Sequence, residues 1–411
     1  MKLLYVLTIV VSLHTPLFAE ELDIVSLQHA LVNDNPRLKA FQSETEMIKH
    51  KIVQSSSLDD PKLKLGVNNL PADSFSFDRE DMTSKEVGIS QMFPLWGKLS
   101  TKERIMTLKF QKSLERLRLE RVESLHLLRV NVYQLIAARE KMQIFKQIKK
   151  DLRMVIESQK ALLKTGTGNI GGLASANMES LLTEQEIIIL EQQESESLQK
   201  INYLVGRNVS VDVANADPVH VTVVNESKGQ LLDESPAIKI LQYEKQIDEE
   251  RIKLKKLEYL PDMEVGVSYM QRDDGPMKER SDMVSGMISF NIPLWIGAKD
   301  AMVHESNEKY NSTKRSIEDK KNELKARADV LRHEMDKWEK ISSLYKNQLL
   351  PQAELSFKGA LADYRTSGGL STVIDRERQL LNYKKELVTA KMGYRIAYSE
   401  LASITGIEVL Q

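Results

Sequence analysis

Residues 84–99 read Ser-Lys-Glu-Val-Gly-Ile-Ser-Gln-Met-Phe-Pro-Leu-Trp-Gly-Lys-Leu. Val87, Ile89 and Phe93 alternate with Glu86, Gly88, Ser90 and Met92, the two-residue period of a strand with one apolar face. Pro94 removes a backbone donor and ends that strand. From Leu99 to Lys164 there is then neither Pro nor Gly, enough chain for about 100 Å of continuous helix. A bilayer-length strand running straight into so long a helix sets the question for the rest of the sequence.

The same passage recurs. Pro94-Leu95-Trp96 returns as Pro293-Leu294-Trp295. Pro36 and Pro236, Pro61 and Pro261, Gly66 and Gly266, and Gly206 and Gly406 are each 200 residues apart. The chain therefore reads as two similar repeats, 20–206 and 230–411, a period too long for a solenoid. Each repeat runs from short helices to a strand pair and then to a long helical hairpin. The strands are expected at about 61–70 and 84–95, then 262–271 and 282–293. The hairpins are expected at about 99–206 and 297–405. Each strand has the length of a tilted bilayer-spanning strand. Residues 207–229 read as a β-rich linker, with Val209, Val211 and Val213 alternating.

In the second hairpin Leu324, Ala328, Leu331, Met335, Trp338, Ser342, Tyr345 and Leu349 alternate steps of four and three. Leu125, Leu128, Val132 and Leu135 do so in the first. Pro351 and Gly359 are expected to break the second run. Gly-rich corners, 164–173 and 364–371, turn each hairpin back on itself.

Composition excludes several classes. The 58 Lys and Arg against 59 Asp and Glu leave a formal charge of −1, no field for nucleic acid. Mean hydropathy is −0.35, and no apolar run after the N-terminus is long enough for a spanning helix. With no Cys, disulfides, zinc-thiolate sites and a lipid anchor on Cys are excluded. The six His beyond residue 19 form no local ligand cluster. No catalytic set, cofactor site or metal site stands out. Residues 1–19, with Lys2, the apolar run Leu3–Leu13 and Ala19, read as an export signal.

Four strands cannot close a barrel, and an open sheet in lipid leaves unpaired edges, so copies must associate. Three copies give twelve strands and a backbone diameter of roughly 24 Å. Here the chain resembles the TolC family of outer-membrane efflux ducts. The resemblance rests on the two repeats, on helix–strand–strand–helix order, on residues 94–99, on Leu350-Pro351-Gln352-Ala353-Glu354, and on Leu370, Val373, Ile374 and Asp375. It implies a mostly α protein with membrane β structure: a homotrimer whose twelve-stranded barrel, four strands per chain, continues as a long α-helical barrel. It implies the outer membrane of a Gram-negative cell, extending into the periplasm, with lipid contact and no enzyme activity. The implied partners are a periplasmic adaptor (a membrane fusion protein) and an inner-membrane pump of the resistance-nodulation-division type.

By the same resemblance Gly166, Gly168, Leu173, Gly368, Gly369, Leu370 and Ser371 form tips that meet the adaptor. Asp375 lies near the aperture, with a solvated helix position as the other reading. Trp96 and Trp295 sit where an aromatic interfacial belt belongs. Residues 94–99 are similar to the subgroup serving heavy-metal pumps, so the implied cargo is heavy-metal ions or drugs. A periplasmic adaptor and a secreted coiled-coil adhesin remain the alternatives.

Overall fold

The computed structural model describes residues 20–166, 168–211, 230–275, 277–366 and 369–407. The export-signal reading, 1–19, lies outside the described residues, as does most of the linker. In the first repeat β1 (Glu20–Leu22), α1 (Ile24–Asp34) and α2 (Pro36–Ser56) precede the strands β2 (Lys62–Asn68) and β3 (Ser84–Phe93). The hairpin α3 (Lys98–Lys164) and α4 (Ile170–Val205) follows, and then β4 (Val209–Val211). The second repeat holds α5 (Gln230–Asp233), α6 (Pro236–Leu257), β5 (Met263–Gln271), β6 (Met283–Phe290), α7 (Ile296–Leu344), α8 (Leu350–Thr366) and α9 (Leu370–Thr405).

Local chemistry explains these boundaries. Asp23 caps α1, its Oδ1 accepting from Ser26 N at 2.7 Å. Asn35 caps α2 through Arg37 N (2.8 Å) and Leu38 N (3.1 Å), and Pro36 takes the first helical position, where its missing donor costs nothing. The strands stop short of Pro94 and Pro293. Within the linker reading, only Val209–Val211 is described as a strand, and it pairs in parallel with β1.

The repeats close in the same way. Gly206 and Gly406 end α4 and α9 in the left-handed conformation, at φ +81° and +74°. A Cβ on Gly206 would lie 3.1 Å from Pro36 Cδ, and one on Gly406 2.5 Å from Pro236 Cδ. Each repeat's last helix thus docks on the proline that opens its amphipathic helix. Asn35 Nδ2 ties the first closure by donating to Leu204 O at 2.6 Å.

The largest core sits at this closure. Leu27, Leu31 and Leu38 meet Leu125, Leu128, Val132 and Leu135 of α3 and Ile201 of α4, all fully or nearly fully buried. In the second repeat Ala328 and Leu331 of α7 pack on Ala397 and Leu401 of α9. Farther along, α9 approaches α7 so closely that a Cβ on Gly393 would sit 2.5 Å from Trp338 Cε2.

The expected break at Pro351 does not occur. A π-helical turn, Tyr345–Leu349, joins α7 to α8, and Pro351 lies in the first turn of α8. The widened turn accommodates a residue that has no N–H to donate. Gly359 likewise lies within α8 without ending it.

Leu128→Ala should lower stability by about 2–5 kcal/mol, because that side chain is completely buried. The loss should register as an earlier thermal unfolding transition of detergent-solubilised protein. An unchanged transition would remove this stretch of α3 from the core.

Candidate functional site

The four strands form one antiparallel sheet in the order β2-β3-β5-β6; β3 and β5 have ten and nine residues, while β2 and β6, at seven and eight, fall short of the expected lengths. Register places Leu65, Val87, Tyr269 and Val284 in one row across it. The next row on the opposite face is Gly66, Glu86, Met270 and Met283. Polarity is inverted relative to a soluble sheet: Leu65 is 71% exposed, whereas Glu86 is 6% exposed. Lys64 Nζ (3.2 Å) and Asn68 Nδ2 (2.9 Å) both donate to the Glu86 carboxylate. Glu264 accepts from Ser90 Oγ at 2.7 Å on the same face. An apolar outside and a hydrogen-bonded polar inside suit lipid on one side and water on the other. No described helix is long and apolar enough to cross a membrane.

Below the sheet Trp96 and Gly97 are both left-handed, at φ +62° and +78°. This pair swings the chain from β3 into α3. Lys98, buried at the first position of α3, donates from Nζ to Leu260 O (2.7 Å) and Asp262 Oδ1 (2.8 Å). Asp262 Oδ1 also accepts from Leu95 N at 3.1 Å. A single carboxylate of the second repeat thus holds the strand-to-helix corner of the first. Trp96 Nε1 donates to Pro261 O at 2.9 Å while its ring is exposed. Trp295 is exposed too, beside the corresponding corner of the second repeat.

At the far end of the helices the two hairpin corners lie side by side. Gly166 is left-handed at φ +80°. At Gly168 a Cβ would fall 2.5 Å from Leu163 N, so only glycine fits. Asn169 then caps α4 through Gly171 N (2.9 Å) and Gly172 N (3.3 Å). Gly369, the residue before α9, has an ordinary φ of −81°. Gly368 lies outside the described residues.

The docking expectation for Leu370 needs correction. Leu370 is buried against Ile156, Ala176 and Ile374, with Leu173 packed on the same cluster. A Cβ on Gly172 would touch its Cδ2 at 3.3 Å. The Leu370 side chain therefore fastens one corner to the other and is not offered to a partner. At this end Ile170, at the start of α4, is 74% exposed.

Asp375 projects from α9 with its side chain 67% exposed. Val373 and Ile374 before it are buried. Asp375 does not stand alone: Arg378 Nη1 lies 3.5 Å away, and the same guanidinium donates from Nε to Glu179 Oε2 at 3.1 Å. Sequence spacing had not singled out Arg378, Glu179 or the buried Glu377 beside them, nor Lys98 and Asp262 as partners. Among the described residues no cluster of His, Cys, Asp or Glu is arranged to hold a metal ion.

Residues 27–207 match the family model described as outer membrane efflux protein. The fold is similar to that of the solved structure of CusC, at 14% identity over 94% of this chain and 93% of that one (TM-score 0.79). The outer-membrane channel OprN gives 13% identity over 94% and 91% (TM-score 0.80). The outer membrane protein VceC of Vibrio cholerae gives 14% over 94% and 97% (TM-score 0.77). A sequence comparison with curated proteins gives no match. At these identities the likeness to the solved structures is one of fold.

Gly168→Val should loosen the first corner, since the new side chain meets backbone atoms of Leu163. Amide hydrogen exchange over residues 160–176 should quicken while the core at Leu128 stays protected. Unchanged exchange at the corner would mean that the turn has another way to seat a side chain.

Proposed function

We propose that the chain belongs to the outer membrane efflux protein family, whose model matches residues 27–207, and that three copies form the exit duct of a tripartite efflux system. The observation that carries this reading is the sheet: apolar outside, polar inside, with unpaired edges on β2 and β6. Joining β6 of one copy to β2 of the next satisfies both edges, and three copies give a twelve-stranded barrel of roughly 24 Å. The repeats 20–206 and 230–411 then each supply two strands and one helical hairpin to a tube crossing the outer membrane and entering the periplasm. α3 alone, at 67 residues, is roughly 100 Å long. The duct is passive. An inner-membrane pump expels the cargo, and a periplasmic adaptor connects the two.

In this reading the corner residues Gly166, Gly168, Gly369 and Ser371 meet the adaptor, with Ile170 as the exposed apolar contact. Leu173 and Leu370 hold the corner in shape from within. Trp96 and Trp295 lie at the inner membrane–water boundary of the barrel. Asp375 contributes one carboxylate per copy near the aperture, partly offset by Arg378. Heavy-metal ions are the cargo suggested by residues 94–99, and drug-like compounds are the other class.

Fractionation should place the mature chain in the outer membrane as a trimer. A periplasmic monomer would overturn the reading. In planar bilayers Asp375→Asn should lower cation selectivity at nearly constant volume, and Asp375→Arg should lower it further. Unchanged selectivity in both variants would move Asp375 to an outer face.

A further inference from the structure

One stripe of α9 carries Leu370, Ile374, Glu377, Leu381 and Val388, the spacing of a packing seam. All five are buried, and Glu377 is 9% exposed, the same as Leu381. The neighbours on either side are apolar. Ile374 packs on Ile156 of α3 and Ala176 of α4, and Leu381 packs on Ile148 and Leu152 of α3. A carboxylate therefore occupies a core position between two greasy layers.

Its charged surroundings are also acidic. Asp151 on α3 and Glu179 on α4 are close enough to act on it electrostatically, and both raise its pKa. Asp151 accepts a hydrogen bond from Gln147 Nε2 at 3.0 Å. Of the two cations flanking it on α9, Arg378 is committed to Glu179 and to Asp375, and Arg376 donates to Gln379 Oε1 at 3.2 Å. Among the described residues none donates a hydrogen bond to Glu377. Ionised, this side chain carries a largely buried charge near two others of the same sign, an unfavourable arrangement for a carboxylate.

We propose that Glu377 is a proton-operated latch at the hairpin corners: protonated, it lets the start of α9 lie against α3 and α4, and ionised, it drives that segment outward. Burial, with Asp151 and then Glu179 beside it, pushes the Glu377 carboxyl up to about 7 from 4.5. The docked segment therefore binds a proton more tightly than the released one. Docking is strongest below about pH 4.5, weakens as pH rises towards about 7, and levels off above that. Leu370 shares the stripe, so loosening it also loosens the contact between the two corners. The effect on conduction rests on the reading of the corners as the narrow end of a duct; the latch itself does not.

Two readouts on the full-length protein separate these statements. Amide exchange over residues 370–381 is compared between wild type and Glu377→Gln at pH 5 and pH 8, each pair at the same pH. The amide mimics the protonated acid. At pH 5 the two should agree, and at pH 8 wild type should exchange at least about tenfold faster, the factor that one unit of linkage supplies. Asp151→Asn keeps Glu377 and should move the wild-type midpoint to lower pH. In planar bilayers wild-type conductance should rise between pH 5 and 8, while Glu377→Gln stays at the low value. Equal exchange in wild type and Glu377→Gln at pH 8 would overturn the latch. The pH-dependent difference in exchange without any conducting channel would overturn the duct reading and leave the latch standing.

Discussion

A β-sheet placed in hydrocarbon must satisfy every backbone donor and acceptor within the protein, and a four-stranded open sheet cannot do so alone. That constraint organises the molecule. In the proposed duct it requires the free edges of β2 and β6 to find partners on other copies of the chain. It turns the polarity of the sheet inside out, with Leu65 exposed and Glu86 held by Lys64 and Asn68. In the proposed barrel it also makes the junction beneath the sheet demanding, because a strand in the barrel wall must hand over to a long helix. The left-handed Trp96 and Gly97 make that change of direction, and buried Lys98 fixes it to Asp262. Replacing one member of such a pair leaves the other charge buried and uncompensated.

The two repeats are similar in order but are not separate domains. β3 of the first pairs with β5 of the second, and α3 packs on α6 and α9 as well as on α4. Arg118 of α3 donates to Gly406 O at 3.0 Å, and Arg378 of α9 reaches back to Glu179 of α4. Ion pairs thus cross between the repeats at the strand junction and at the hairpin corners.

Much of this was legible in the residues because the strongest signals are local. Alternation marks the strands, and Pro36, Pro236, Gly206 and Gly406 mark element ends whose conformational reasons hold wherever they occur. What escaped notice depends on long-range packing. Leu370 reads as a tip residue that meets a partner until its contacts with Gly172 and Ala176 are seen. Glu377 escapes because a seam is traced by counting apolar side chains, although its steps of three from Ile374 and four to Leu381 were visible. Lys98 belonged to a quoted motif, but Asp262 lies in the other repeat, and nothing local joins them. Pro351 misled for a different reason: its usual effect is to end a helix, and the π-helical turn before it relieves that effect.

That turn sets the phase of everything after it. Before Tyr345 the seam advances by alternating fours and threes, yet from Tyr345 through Leu349 to the buried Ala353 it takes two fours in succession. One surplus residue is swallowed by the wider turn. In a regular α-helix it would have rotated the remaining face by about 100°. The contact between the rings of Tyr345 and Tyr383, 5.7 Å apart, pins the surplus where α9 passes. The turn thus works as a phase corrector. It lets a helix whose apolar count has slipped by one arrive at the corner with Ala353 and Tyr364 still turned inward. Deleting one residue between 345 and 349 would straighten the backbone and turn that inward face aside, with no apolar side chain lost.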